Sequence, residues 1–182
     1  MTFPLTGEPL ALDLLNTRTA EGDLVAGPAG LGAWLAEQAG RLTPVRETGA
    51  AEVAAVLAVR EAARAALDAA LRGGRPPADA LRTLNGALSA APSHQELTWT
   101  EEVGITATPQ RPAGPARRLA AELAEAVAEL LTDPRVTSVR ACEAEGCVLL
   151  FLPAHPRRRW CVASACGNRA RVARYYARHK RP

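Results

Sequence analysis

Before residue 134 the apolar positions of this chain fall at helical spacing in five stretches, and after it they change character. The first, GEPLALDLLNTRTAEG, sets Leu10, Leu12, Leu14 and Leu15 among polar residues, so a short helix is expected before Gly22. GPAGLGAWLAEQAGRLTP places Leu31, Trp34 and Leu35 on one face and is closed by Gly40 and Pro44, which predicts a second helix with Trp34 inward. Gly49 to Leu71 is rich in strong helix formers and should be the longest helix, with Val53, Val56, Leu57, Arg60, Ala63, Arg64 and Leu67 near one stripe. Gly73-Gly74 and Pro76-Pro77 stop it. ADALRTLNGALSAAP then supplies a helix with Leu81, Leu84 and Leu88 aligned, and the short turn implies an antiparallel pair. The fifth stretch, ARRLAAELAEAVAELL, turns Leu119, Leu123, Ala126, Val127 and Leu130 inward and ends at Thr132-Asp133-Pro134.

Between the fourth and fifth helices the period shifts from helical to alternating. Gln95 to Thr100 and Val103 to Thr108 are rich in β-formers and joined through Glu101-Glu102, so a hairpin over about 95–108 is expected, with Trp99 in the core like Trp34. Past Pro134 the expectation is a strand to Ala141, then a hairpin whose arms are VLLFL and RRRWCV, then a helix from about Cys166. The fold class is therefore α+β. A mainly helical N-terminal domain with a β-hairpin (1–133) precedes a small C-terminal module (134–182) of knuckle, hairpin and helix, a treble-clef-like layout.

The chemistry lies in that module. All four cysteines, Cys142, Cys147, Cys161 and Cys166, form two Cys-x4-Cys pairs within it. Four thiolates suit one zinc ion, held tetrahedrally with no position left for substrate, so the metal is structural. Disulfides are the competing use. The opening MTFPLTGEP lacks a signal-peptide pattern, and a cytoplasmic, reducing setting with no membrane association favours the metal. A unit of roughly 40 residues buries too little to fold alone and depends on its metal.

Charge divides along the same line. From Arg140 to Pro182 there are ten Lys or Arg against Glu143 and Glu145, net +8, while the other 139 residues carry 12 basic and 17 acidic side chains, net −5. Zinc with four thiolates carries a formal −2, which leaves the module at about +6. Dense one-signed charge of this kind is the electrostatic footprint of a nucleic-acid binder. On a helical projection Arg171, Arg174, Arg178 and Arg181 share an arc of roughly 80°, whereas Val172, Ala173 and Tyr176 lie on the face expected to pack on the hairpin. Arg169 falls among the latter. It is expected to be structural, bonded to carbonyls or stacked on Trp160, and Asn168 is expected to support the finger with it. The expected nucleic-acid contacts are Arg157, Arg158, Arg171, Arg174, Arg178, Lys180 and Arg181.

The Cys-x4-Cys pair, the LLFL strand, RRRWC and the terminal CGNR before a basic helix resemble the CGNR zinc-finger family. LALDLLNTR resembles the opening of the ABATE domain, which precedes that finger in bacterial proteins described as transcription regulators. The resemblance spans essentially the whole chain. It implies zinc at the four cysteines, a DNA-binding role for the finger and an N-terminal domain whose activity is unassigned. The chain departs from the family's usual form at Leu149, where a Trp is common, and at Pro153, where an acid is common.

Other residues carry weaker signals. His155 is read as a turn histidine rather than a fifth ligand, and His94 and His179 as solvent-facing. Asn16 and Arg18 could line a ligand pocket, although helix-end hydrogen bonds explain them equally well. No catalytic triad, phosphate loop or open metal site is recognisable, and no enzyme is expected. The expectation is a DNA-binding transcriptional regulator whose N-terminal domain senses a small-molecule effector or pairs subunits as a homodimer. The alternative is an RNA-associated or protein-interaction zinc module, and a catalytic N-terminal domain is a third class.

Overall fold

A computed structural model describing residues 3–179 turns the five helical stretches into α1 (Leu10–Leu15), α2 (Pro28–Glu37), α3 (Ala50–Leu71), α4 (Ala78–Ala90) and α5 (Pro115–Thr132). Local chemistry sets their ends. Prolines occupy the first turns of α2 and α5, where a missing N–H costs nothing. Glu52 reaches back to accept the Gly49 N–H at 2.9 Å at the start of α3, and Gly73 leaves its end at φ +67°. The alanine-rich α3 lies at the centre and packs against α1, α2, α4 and α5. Its buried face, Val53, Val56, Val59, Ala62, Ala63, Ala66 and Leu67, meets Leu12, Leu14, Leu15, Leu31, Trp34, Leu119, Leu123 and Val127 in one core. The antiparallel α3–α4 pair and the inward Trp34 agree with the sequence reading.

A short hairpin that the apolar pattern does not announce, β1 (Arg18–Thr19) with β2 (Gly22–Asp23), follows α1. It brings Asp23 to Arg60, whose guanidinium is buried on α3. The expected longer hairpin is present as β3 (His94–Thr100) and β4 (Gly104–Gln110). Its register pairs Leu97 with Ala107 and Trp99 with Ile105, which puts all four on one face. No other element of the described structure covers that face. Leu97, Trp99 and Ile105 are 70, 66 and 74% exposed, so the core position expected for Trp99 is corrected: alternation placed it on the apolar face, and the hairpin stands off the body.

Past α5 the expected strand over 134–141 is mostly a 3-10 turn, Val136–Ser138, followed by β5 (Arg140–Ala141). β5 pairs with β6 (Leu150–Phe151) across the first cysteine loop. The expected hairpin between VLLFL and RRRWCV does not form. Pro153 and Pro156 cannot donate to a ladder, the Arg158 N–H turns back to His155 O at 2.9 Å, and the Arg-rich run reaches the first cysteine loop by a backbone bond from Glu143 N–H to Arg159 O at 3.1 Å. β6 joins two cores by strand alternation: Leu150 packs with the helical core, and Phe151 faces Cys142, Cys161 and Cys166. A π turn, Ala163–Gly167, leads into α6 (Asn168–His179). No helix among the described residues is long and apolar enough to cross a membrane.

Candidate metal centre

Each cysteine is positioned by a different device. Cys142 follows β5, and its N–H bonds Leu149 O at 2.9 Å, which closes the loop at its neck. Gly146 at φ +72° lets the chain turn back so that Cys147 points to the same side. Cys161 ends the Arg-rich run with its N–H on Cys142 Sγ at 3.4 Å, and Cys166 lies in the π turn. The four sulfurs lie within 4.8 Å of one another. Cys161 Sγ is 3.5 Å from Cys166 Sγ and 3.9 Å from Cys147 Sγ. A tetrahedral ion with sulfurs at about 2.3 Å needs them about 3.8 Å apart, so the set fits zinc, and none of the four is in a disulfide.

Electrostatics shows why the cluster needs a cation. Burial pushes the Cys161 and Cys147 thiols up, and the neighbouring sulfurs push Cys161 further. Burial also raises Cys142, but the backbone N–H groups of Cys161 and Ala144 outweigh it and hold its thiol below the ordinary value. Without a metal, one thiolate is stabilised at the expense of its neighbours. A divalent ion removes that conflict.

The arginines around the centre divide into two groups. Arg158, expected on the nucleic-acid face, turns inward instead. It donates to Glu8 Oε1 and to Cys161 O, both at 2.7 Å, and its guanidinium lies 4.4 Å from the Phe151 ring centre. Arg140 and Arg159 are held by Pro156 O and by Glu143 respectively. Arg169 is structural by a different contact from those expected: its guanidinium donates to Cys166 Sγ at 3.2 Å, and among the described residues it bonds neither a carbonyl nor Trp160. Asn168 bridges Ser164 O, at 2.8 Å, and the Arg171 guanidinium, at 2.9 Å. Trp160 packs beside the cysteines, close to Gly167.

Arg157, Arg171, Arg174 and Arg178 are exposed, and Lys180 and Arg181 lie outside the described residues. Val172, Ala173 and Tyr176, expected against the hairpin, are exposed too, because α6 leaves the module and no hairpin arm lies beneath it. Tyr175 stacks on His179 with ring centres 4.1 Å apart. His155 accepts the Arg157 N–H at 3.1 Å within its turn.

Two side chains make long-range bonds that no local pattern announces, Asn16 among them although the sequence marks it as a candidate for a pocket or a helix end. Asn16 donates to Leu150 O and accepts from Leu150 N, both at 2.8 Å, and Glu8 accepts the Leu152 N–H at 2.9 Å. Both partners lie more than 130 residues away in the chain. Together these two residues fasten the metal module to the start of the helical domain.

Residues 8–134 match the family ABATE, described as "Putative stress-induced transcription regulator". The chain belongs to the ABATE family. Residues 138–179 match the CGNR zinc finger, so the four-cysteine cluster is that finger's structural zinc site. No curated protein is similar enough to the chain to be matched. The description of the ABATE family and that of the CGNR finger name a regulator and a zinc finger, not a catalyst.

Proposed function

We propose that the chain is a DNA-binding transcriptional regulator in which the CGNR finger meets DNA and the ABATE domain governs it. The observation that carries this reading is the sorting of arginines. Arg158 is partly buried on Glu8 and Cys161 O, and Arg140, Arg159 and Arg169 are tied to acceptors around the cysteines, whereas Arg157, Arg171, Arg174 and Arg178 are exposed and Arg171 and Arg174 bond only within their own helix. Lys180 and Arg181 extend the same charged run in sequence. In this reading zinc does no chemistry. Trp160, Asn168 and Arg169 fix the start of α6 relative to the cysteines, and the basic face beyond them contacts phosphates and base edges.

A single finger spans few base pairs, so the regulator acts as a homodimer reading two half-sites. The bare apolar face of the β3–β4 hairpin supports this, because an isolated two-stranded hairpin is marginal in water and a second copy offers an identical face. Sedimentation of Trp99→Lys beside the wild type tests the dimer: the variant should be monomeric.

An RNA-associated module is the second reading, favoured by Tyr175 and Tyr176, each 58% exposed on the basic helix, since exposed aromatics stack on unpaired bases. Competition between duplex DNA and structured RNA at one fixed salt concentration separates the two. Preference for duplex DNA upholds the regulator reading, and preference for RNA overturns it.

A further inference from the structure

The ABATE domain holds three arginines around one cavity, and among the described residues one of them has no hydrogen-bond or ion-pair partner. Arg18 comes from β1, Arg60 and Arg64 from successive turns of α3, and they line a cavity of about 310 Å³ whose apolar walls are Leu15 and Val148. Arg60 is deeply buried and largely satisfied: it bonds Thr17 Oγ1 at 2.9 Å, Asp23 Oδ1 at 2.7 Å and Glu61 Oε1 at 3.3 Å. Its Nε is buried with no acceptor. Arg18 shares the exposed Glu61 at the rim, at 3.6 Å.

Arg64 differs. It is half-buried and, among the described residues, makes neither an ion pair nor a hydrogen bond. Burial lowers its affinity for its proton; Asp68, one turn further along α3, and Glu61 act against that, while Arg60 and Arg18 add to it. A guanidinium partly withdrawn from water beside two others, with no carboxylate in hydrogen-bond contact, leaves a place for an anion to complete it. Val148 belongs to the finger and follows the zinc ligand Cys147, and Thr19 and Val148 also line a second cavity beside the cysteines. An occupant would therefore touch the ABATE domain and the finger together.

We propose that this cavity binds a small organic anion, its carboxylate or phosphate head on Arg64 and Arg18 and its apolar body against Leu15 and Val148. The proposal rests on the reading that the ABATE domain governs the finger, takes the effector-sensing form of that role, and supplies the chemical class of the effector. An arginine fork suits an oxyanion head, and the cavity is at the small end of ligand-pocket size.

The test uses the full zinc-loaded protein with three probes at constant ionic strength: benzoate, phenyl phosphate and neutral benzyl alcohol. Binding is read by calorimetry and by methyl NMR at Leu15 and Val148. The expected result is saturable one-to-one binding of benzoate or phenyl phosphate, with methyl shifts at both residues and benzyl alcohol at least tenfold weaker. Benzoate against phenyl phosphate tells which head is preferred. Arg64→Gln, which removes no hydrogen bond or ion pair among the described residues and keeps most of the stem, should melt close to the wild type and weaken the anion at least tenfold, and Arg18→Gln should weaken it as well. Equal binding of benzyl alcohol and benzoate would overturn the anion class while leaving a sensing cavity in place. Unchanged affinity in Arg64→Gln, or no binding of either anion, would overturn the site. DNA binding measured on the same preparations is independent of all these outcomes, so its failure is separately visible.

Discussion

Asn16 pairs with the backbone of Leu150 as a strand would, giving one hydrogen bond and taking one, both 2.8 Å long and buried. The side-chain amide thus extends the two-residue β6 from the ABATE side and sets the finger's register against α1. Asn16→Ala leaves the Leu150 N–H and C=O without partners. The expected loss is about 2–4 kcal/mol of stability in urea titrations of the zinc-loaded protein. Asn16→Asp should be no better, since a carboxylate would face the Leu150 carbonyl oxygen.

Zinc removal should separate the two cores. Phe151, Leu149 and Ala144 belong to the small core around the cysteines, with Leu5, Trp160 and Val162 packed on it, while α3 and α5 have their own core. Metal binding in small zinc modules is worth about 10–16 kcal/mol, far more than this second core can supply. A zinc-selective chelator should abolish amide protection in β5, β6 and the π turn and leave α3 and α5 protected. Persistent protection in the metal-free finger would contradict a metal-dependent fold.

Asp23 gives a signed pH prediction. The hydrogen bond from Arg60 holds its carboxyl below the ordinary 3.8. A depressed folded value means that the group stabilises the fold above pH 3.8 and that this contribution is lost as pH falls through the lower, folded value. Breaking a fully buried ion pair costs about 3–5 kcal/mol, and because Asp23 keeps part of its side chain in water, Asp23→Asn should cost about 2 kcal/mol at pH 7. The gap to wild type should close under acid. Asp13 runs the other way, its carboxyl raised by burial despite Arg41, so only the difference between variant and wild type isolates Asp23.

Gly30 lies inside α2, where alanine would normally gain about 1 kcal/mol of helix propensity. Here a Cβ would collide with the Leu24 carbonyl oxygen, a backbone atom that cannot rotate away. Gly30→Ala should therefore destabilise, lowering the melting temperature by several degrees, at about 4 °C or less per kcal/mol in a chain of this size. A raised melting temperature would show that the β2–α2 connection yields.

What could be read from the sequence follows the range of the interactions. The helices, the existence of the β3–β4 hairpin and the cysteine cluster depend on sequence spacing, and they stood out; the hairpin's register did not, because the turn takes in Val103 and pairs Thr100 with Gly104. The Arg-rich run read as a strand because its residue types allow one, while the prolines on either side removed the donors. Trp99 was assigned to the core because alternation tells which residues share a face, not whether anything covers it. Arg158 looked like its neighbours Arg157 and Arg159, and only Glu8, 150 residues away, separates it from them. The pairing of Asn16 with Leu150 was equally out of reach; of the two pocket candidates, Arg18 lines the cavity beside Arg64 and Asn16 does not, and the place of Arg60 and Arg64 on the stripe of α3 did not by itself point to that cavity.

The regulator reading separates Arg158 from Arg174 more sharply than any affinity alone. If four to six side chains of the finger neutralise phosphates, the log-log dependence of DNA affinity on salt should have a slope of about −4 to −5. Arg174 is exposed, its Nε only 3.2 Å from its own helix's Ala170 carbonyl, so Arg174→Ala should keep the fold and make the slope shallower by about 0.9. Arg171→Ala and Arg178→Ala should do the same. Arg158 is spent on Glu8, Trp160 O and Cys161 O, so Arg158→Ala should loosen the finger from the ABATE domain and lower stability while leaving the slope as it was. If Arg158→Ala instead changes the slope and Arg174→Ala does not, the DNA-facing side of the finger is the one turned toward the ABATE domain, and the assignment of α6 to DNA fails.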